Sequence, residues 1–398
     1  MTNNQFFDVI IVGAGAFSCF SALLLKQKGM NVAVVYSENT SPMESFLQTL
    51  NTCWPSLNDP PTRAEVAHGH EVALYLHEFC IKGLNYFKET LLPLIEDQNN
   101  WLEADCFRIG AKDFEVEELV DAFNLGFGLK KTENASVFKE DKSSLICLNS
   151  KLFQENIIKS LAKNNVTLIP YDVIKLEERQ SKCILELKNN SIIESEIVVL
   201  GSSLNIAKIM PKFQSILIPM SDSLFEYELD NPENSQFKPI NLRASNGHIC
   251  ASVFNQKDKI KIKLSGPRFL LPGAGAGFDL TKKELDNKVF QNIEKYHREI
   301  VFNLIANLIP NHNIFINKSV ELISKKILVD CYPCDELPLL GEYGKLGRIL
   351  GNTGWLATGL SSGSWAASII CELILNEKSL ELHSRLHPRR LFTKFVNN

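Results

Sequence analysis

Little in this 398-residue sequence is extreme, and each shortage removes a class of protein. The net charge is only −4, so nothing draws the chain generally toward nucleic acid or an anionic membrane. The one basic run, "SRLHPRRLFTK", is short and reads as a solvated tail. Repeats and low-complexity tracts are absent. The C-x-x-C of Cys331 and Cys334 has no second pair and no nearby histidine, which leaves too few ligands for zinc. His70 and His77 fall on one face of a predicted helix with His68 close by, but neither a carboxylate nor a cysteine completes a metal set. They read as surface or packing residues, and no metal is expected. The apolar opening "VIIVGAGAFSCFSALLL" lacks a basic flank and an A-x-A cleavage pattern, and Asp8 precedes it. It reads as a buried strand and helix instead of a leader or membrane span. With ten cysteines mostly scattered through apolar runs, free thiols in a reducing cytoplasm are expected.

What is present is an ordinary globular balance, 45% hydrophobic and 22% charged, over a length that suits two domains or one large α/β unit. "FFDVIIV" is a β-branched run fit for a buried parallel strand, "GAGAFS" follows at once, "CFSALLLKQK" is an apolar helix ending at Gly29, and "NVAVVY" is a second strand. That order gives the G-x-G-x-x-G spacing its meaning as a dinucleotide turn. Gly13 allows the tight turn, and Gly15 lets the backbone approach a pyrophosphate at the helix N-terminus. Ala14, Ala16 and Phe17 complete the turn, and Ser18 replaces the usual third glycine with another small residue. The acid that grips an adenosine ribose is expected at Tyr36. Ser37 and Glu38 follow, so Glu38 or one of its neighbours takes that role, or Glu38 is only a loop acid.

The chain then returns to this unit late. "NSKLFQENIIKSLAKNNVTLIPYDVIKLEE" is a helix feeding a strand, and "KCILELKNNSIIESEIVVLGSS" is a β-ribbon with an Asn-Asn turn. "RILGNTGWLATGLSSGSWAASIICELIL" is a strand, a glycine-rich turn and a long helix. A second glycine cluster, "LLPGAGAGF", has G-x-G-x-G spacing with no acid-tipped strand after it, and reads as a loop. The stretch from 60 to 140 is helical in pattern, and 205 to 320 gives strands such as "LFEYEL" and "KIKIKL" followed by a helix.

Four segments in order, "VIIVGAGAFS", the stretch ending "YDVIKL", "IVVLGSS" and "CDELPLLG…GNTGWLATGLSSG", resemble the D-amino-acid-oxidase-like superfamily of FAD-dependent oxidoreductases. The resemblance spans nearly the whole chain. It implies an α/β fold: an FAD-binding Rossmann-like domain of glutathione-reductase type, discontinuous over 1–60, 143–210 and 322–398. A discontinuous α+β substrate or cap domain with a mixed sheet fills 61–142 and 211–321. FAD would lie extended, with Val173 at the adenine, Thr49 and Asn51 near the flavin or pyrophosphate, and Gly201 after its strand. Gly354, Trp355, Gly359, Leu360 and Ser361 would cover the pyrimidine edge. The implied chemistry is hydride transfer from a carbon bearing nitrogen, in a small-molecule amine or amino-acid-like substrate. The resulting imine is hydrolysed, and oxygen or another acceptor takes the electrons. A tailoring or monooxygenase-like flavoprotein with an external reductant is the alternative.

Where amino-acid-oxidising members place a carboxylate-binding arginine, this chain has Asp330, which would repel a carboxylate and attract a cationic amine, or would simply cap a turn. Arg268 is the alternative anion anchor, Arg63 a second candidate, and Trp54 a flat wall beside the flavin. Each also suits a packing or surface role. Sarcosine oxidases attach flavin through a cysteine in the Cys331 region, so a covalent link there stays open. A thioredoxin-like role suits the pair poorly, because Pro338 and Gly341 mark a loop and not a helix start.

Overall fold

The computed structural model describes residues 5–231, 236–277, 287–309, 320–355, 357–375 and 382–392. Strand Gln5–Val12 runs through the middle of the first sheet, between Val32–Val35 and Ile192–Leu200, both parallel to it. Val9, Ile10 and Ile11 are fully buried, which is why an unbroken β-branched run suits this position and an alternating one would not. Outward on one side lies Thr167–Ile169; on the other lie Ile349–Thr353, parallel, and Leu339–Glu342, antiparallel. Val173–Glu178, Cys183–Leu187 and Ile192–Leu200 form an antiparallel meander, with Asn190 in the left-handed conformation at one turn. The asparagine pair read as a turn therefore sits where asparagine tolerates that backbone best.

Helix Ala16–Gln27 covers one face of this sheet and packs against helix Gly359–Ile374, which in turn crosses helix His70–Tyr86. The last crossing is close. A Cβ added at Gly83 would sit 2.0 Å from the carbonyl oxygen of Ser361. Phe20, Phe79, Phe87, Trp101 and Phe153 fill the core beneath these helices, while Phe7, Ile10, Phe213 and Tyr343 fill the opposite face of the sheet.

The second sheet is mixed and has the strand order Glu321–Pro333, Leu217–Asp230, Lys259–Ser265, Ile249–Gln256, Ile240–Ala244, Trp101–Ile109, Val137–Glu140, Leu129–Lys131. The architecture is thus α/β with two multi-stranded sheets, as the resemblance implies. The helical pattern of 60–140 gives way to strands at three places, Trp101–Ile109, Leu129–Lys131 and Val137–Glu140. Residues 101–109 form a strand, not a helix, because Trp101–Ile109 pairs in parallel with Ile240–Ala244, more than a hundred residues away. Helices Pro61–His68, His70–Tyr86 and Asp113–Asn124 do follow the helical reading. The helix expected after those strands, in "TKKELDNKVFQNIEKY", is described only from Asn287 onward, its first residues lying outside the described ones. The glycine cluster 271–277 is a loop against strand Leu217–Asp230, with Ala276 bridged to Met220. Among the described residues no helix is long and apolar enough to cross a membrane.

Two buried polar clusters hold loops at the ends of the second sheet. Arg108, Glu140 and Arg243 are almost completely buried together; Arg108 pairs with Glu140 at 2.9 Å, and both arginines donate to the Ser56 hydroxyl and the Leu57 carbonyl. They hold the loop 54–59 in shape, and Arg243 lies 4.1 Å over the ring of Trp54. In the second cluster, the fully buried His297 bonds the carbonyl of Gly266 through Nε2 at 2.7 Å. A carbonyl only accepts, so Nε2 carries the proton, and Nδ1 accepts from the Tyr227 hydroxyl at 2.9 Å. That anchor stands two residues before Arg268.

Candidate active site

The glycine turn begins where strand Gln5–Val12 ends. Gly13 has φ +104°, and a Cβ there would lie 2.8 Å from the backbone of Gly201, so only glycine fits. Gly15 is different: its nearest prospective neighbour is the Ser45 hydroxyl at 3.7 Å, and the backbone opens onto a cavity. Ser18 is buried against Gly201, close enough that a Cβ on Gly201 would meet its hydroxyl at 2.2 Å. The serine is accommodated because its partner across the packing is a glycine.

The cavity has a volume of about 370 Å³. It runs from Gly15, Ala16, Phe17 and Gly201 on the first sheet to Asp222, Arg268 and Asp330 on the second. Of the residues singled out in the sequence, Thr49, Trp54, Gly354, Trp355, Gly359 and Leu360 also line it. Gly13, Ala14, Ser18, Tyr36, Ser37, Glu38, Asn51, Val173 and Ser361 do not. Ser37 bonds Asp172 at 3.3 Å, Tyr36 N–H bonds the Ile169 carbonyl at 3.0 Å, and Glu38 pairs with Lys188; Val173 starts the neighbouring strand. Asn51 spends its side-chain amide on the Phe46 carbonyl at 2.6 Å and accepts from Lys263, so it shapes the loop behind Thr49. Ser361 is buried and bonds the Thr358 carbonyl within the last helix. Arg63 lies outside the cavity, at the surface beside Glu118 at 3.7 Å. His70 and His77 both pack on Phe127.

The charged wall comes from paired strands. Strand Glu321–Pro333 alternates, so Asp330 and Tyr332 face the cavity while Cys331 turns into the core with Leu217 and Tyr343. Burial pushes the Cys331 thiol up to about 12, and Cys334 is exposed; both are free, and neither lines the cavity. Asp330 accepts from the backbone N–H of Cys331 at 2.7 Å and of Ala357 at 3.0 Å. Burial raises its carboxyl above the usual range, and those amides and Arg268 pull it back. Arg268 is only 8% exposed and donates to the Tyr332 hydroxyl at 3.2 Å; no other side-chain partner is found for it among the described residues.

Asp222 and Tyr332 escaped the sequence reading. Tyr332 was legible in principle, two residues past Asp330 on the same strand face. Asp222 was not, because only the antiparallel register that sets Met220 opposite Asp330 and Asp222 opposite Leu328 brings it there. Its carboxyl is raised to about 6, first by burial, against the pull of Arg268 and bonds from Ser265 at 2.8 Å and the Ser223 N–H at 2.7 Å.

No protein-family model and no curated protein sequence matches the chain. Solved structures do. Glycine oxidase from Geobacillus kaustophilus is 13% identical, with 96% of this chain and 98% of that one covered at a TM-score of 0.71. L-proline dehydrogenase from P. horikoshii is 12% identical, with 98% and 99% covered at 0.69. Iminodiacetate oxidase from Chelativorans sp. BNC1 is 12% identical, with 96% and 98% covered at 0.68. The chain shares its fold with these oxidases and this dehydrogenase. The resemblance read from four sequence segments is therefore met over the full length at the level of the fold. The residues present also fit the dinucleotide which that fold implies: Gly15 leaves its side of the turn open, and the cavity continues from it under the N-terminus of helix Gly359–Ile374.

Proposed function

We propose that the protein is an FAD-dependent oxidoreductase that oxidises a C–N bond of a small amine or amino-acid-like substrate. The observation that carries this reading is the single cavity joining the glycine turn to a wall of Asp222, Arg268, Asp330 and Tyr332. Gly15 to Phe17 would cradle the pyrophosphate, with the adenosine toward Ser37, Glu38 and Val173. Gly354, Trp355 and Gly359 would border the flavin, and Trp355 is held by stacking on Phe79 at 4.4 Å. The bound flavin would supply the hydride acceptor. The protein's own work is orientation: Arg268 and Tyr332 bind an anionic end, the carboxylates bind the basic end, and Trp54, backed by Arg243, forms an apolar wall. Residues 1–60, 143–210 and 322–398 would hold the cofactor, and the remainder would cover it.

The test is anaerobic flavin bleaching across a panel of amines and amino acids, with peroxide release measured in air. Bleaching by an amine without NAD(P)H is the expected result. Reduction by NAD(P)H alone would favour the externally reduced tailoring enzyme, and protein that stays colourless with added FAD would overturn both readings.

A further inference from the structure

Among the residues lining the cavity, three side chains carry charge: Asp222, Asp330 and Arg268. Two carboxylates therefore face one guanidinium. The two aspartates lie on paired antiparallel strands, Asp222 opposite Leu328 and Asp330 two residues further along the same face. Such diagonal neighbours stand about 7–8 Å apart. Each carboxylate oxygen already has one neutral donor, Ser223 N–H and Ser265 hydroxyl for Asp222, Cys331 and Ala357 N–H for Asp330. These donors satisfy directionality and leave the charge uncompensated. Arg268 draws both carboxyls down but, as one guanidinium with no direct ion pair to either aspartate among the described residues, offsets the two charges only in part; its one side-chain bond is to Tyr332. A charge held away from water is costly unless an opposite charge meets it. A cation entering the cavity would supply that charge, where a proton would otherwise relieve it.

We propose, resting on the oxidoreductase reading above, that the substrate carries one more positive than negative charge: a diamino acid with its carboxylate on Arg268 and Tyr332. Asp222 and Asp330 receive the two basic nitrogens, and Asp222 is the residue that selects for the second one. An amino acid with a single amine leaves one carboxylate facing an apolar carbon. A diamine without a carboxylate leaves Arg268 unmatched. The raised carboxyl of Asp222, pushed up first by burial, agrees with a site that lacks its cation when empty.

The test compares ornithine with norvaline, which differ only in the terminal nitrogen. Both enantiomers of each, with putrescine, are titrated calorimetrically into anaerobic holoprotein whose flavin has been reduced beforehand. Ornithine of one hand should bind at least ten-fold more tightly than norvaline or putrescine. In Asp222→Asn that advantage should vanish, ornithine losing far more affinity than norvaline. Norvaline binding as tightly as ornithine to the unaltered protein would overturn the proposal without any variant. Putrescine matching ornithine would overturn the assignment of Arg268 to a carboxylate, and an equal loss for both amino acids in Asp222→Asn would overturn the assignment of Asp222. The visible flavin spectrum, recorded before the reduction, reports separately on the cofactor. A yellow protein that does not discriminate refutes the substrate class alone, and a colourless one refutes the oxidoreductase reading.

Discussion

The carboxylate of Asp330 accepts the backbone N–H of Ala357 at 3.0 Å, tying an edge strand of the second sheet to the loop that opens the last helix. Ala357 sits in the left-handed region at φ +66°, a conformation that needs support in a residue with a side chain. Asp330→Ala should free that loop and leave two amides unbonded, at a cost of about 1–3 kcal/mol. Fluorescence titration of the apoprotein should show FAD binding weakened by ten-fold or more. Unchanged FAD affinity would refute the clamp.

Asp335 and Arg390 form a two-point pair, Nε to Oδ2 at 2.8 Å and Nη2 to Oδ1 at 2.9 Å, and Arg390 also bonds the carbonyls of Leu337 and Pro338. Burial alone would raise the Asp335 carboxyl, but Arg390 outweighs it and holds the group below its ordinary 3.8. A depressed carboxyl stabilises the fold above its unfolded value, and that contribution disappears as pH falls through the folded one. Arg390→Ala should therefore cost stability in urea denaturation at pH 7 and pH 5, with the penalty shrinking near pH 3. A penalty independent of pH would show that the pair contributes packing only.

His297 is held neutral by burial, which lowers it to about 4 against the pull of the Gly266 carbonyl. The unfolded chain takes up this proton near pH 6.5 and the native one near 4. Stability should fall across that interval by about 3 kcal/mol on this account. In His297→Gln the fall should flatten, and because Gly266 precedes Arg268, affinity for a carboxylate ligand should weaken while affinity for an uncharged amine holds.

Gly83 lies where helix His70–Tyr86 meets the start of the last helix, and a Cβ there would enter the Ser361 carbonyl. Helix propensity alone favours alanine by about 1 kcal/mol. Overpacking against backbone that cannot retreat should reverse the sign, giving a net loss of about 1–3 kcal/mol in thermal or urea melts. A stabilised Gly83→Ala would mean that the two helices separate freely.

Local pattern carried the first sheet. The run "FFDVIIV", the glycines at 13 and 15, the Asn-Asn turn and the glycine-rich start of the last helix each state their own backbone requirement, and each is found where its residues put it. The same kind of reading failed at Trp101–Ile109, whose strand exists because a distant strand pairs with it. For Cys331 and Cys334 the sequence left only a covalent flavin link open, and it pointed to Asp330 beside them. Alternation along Glu321–Pro333 sends Cys331 to the core, and the residues that reach the cavity are Asp330 and Tyr332 on either side of it.

The sequence by itself determined the strand–turn–helix–strand unit and the exchange of an expected arginine for Asp330, because both are written in neighbouring residues. Only the tertiary structure decided which charges meet. Asp222, Arg268 and Asp330 come from three strands or strand ends, and their meeting depends on strand register and on a loop pinned by His297. Neither the register nor the buried bonds of His297 leave a trace in local sequence.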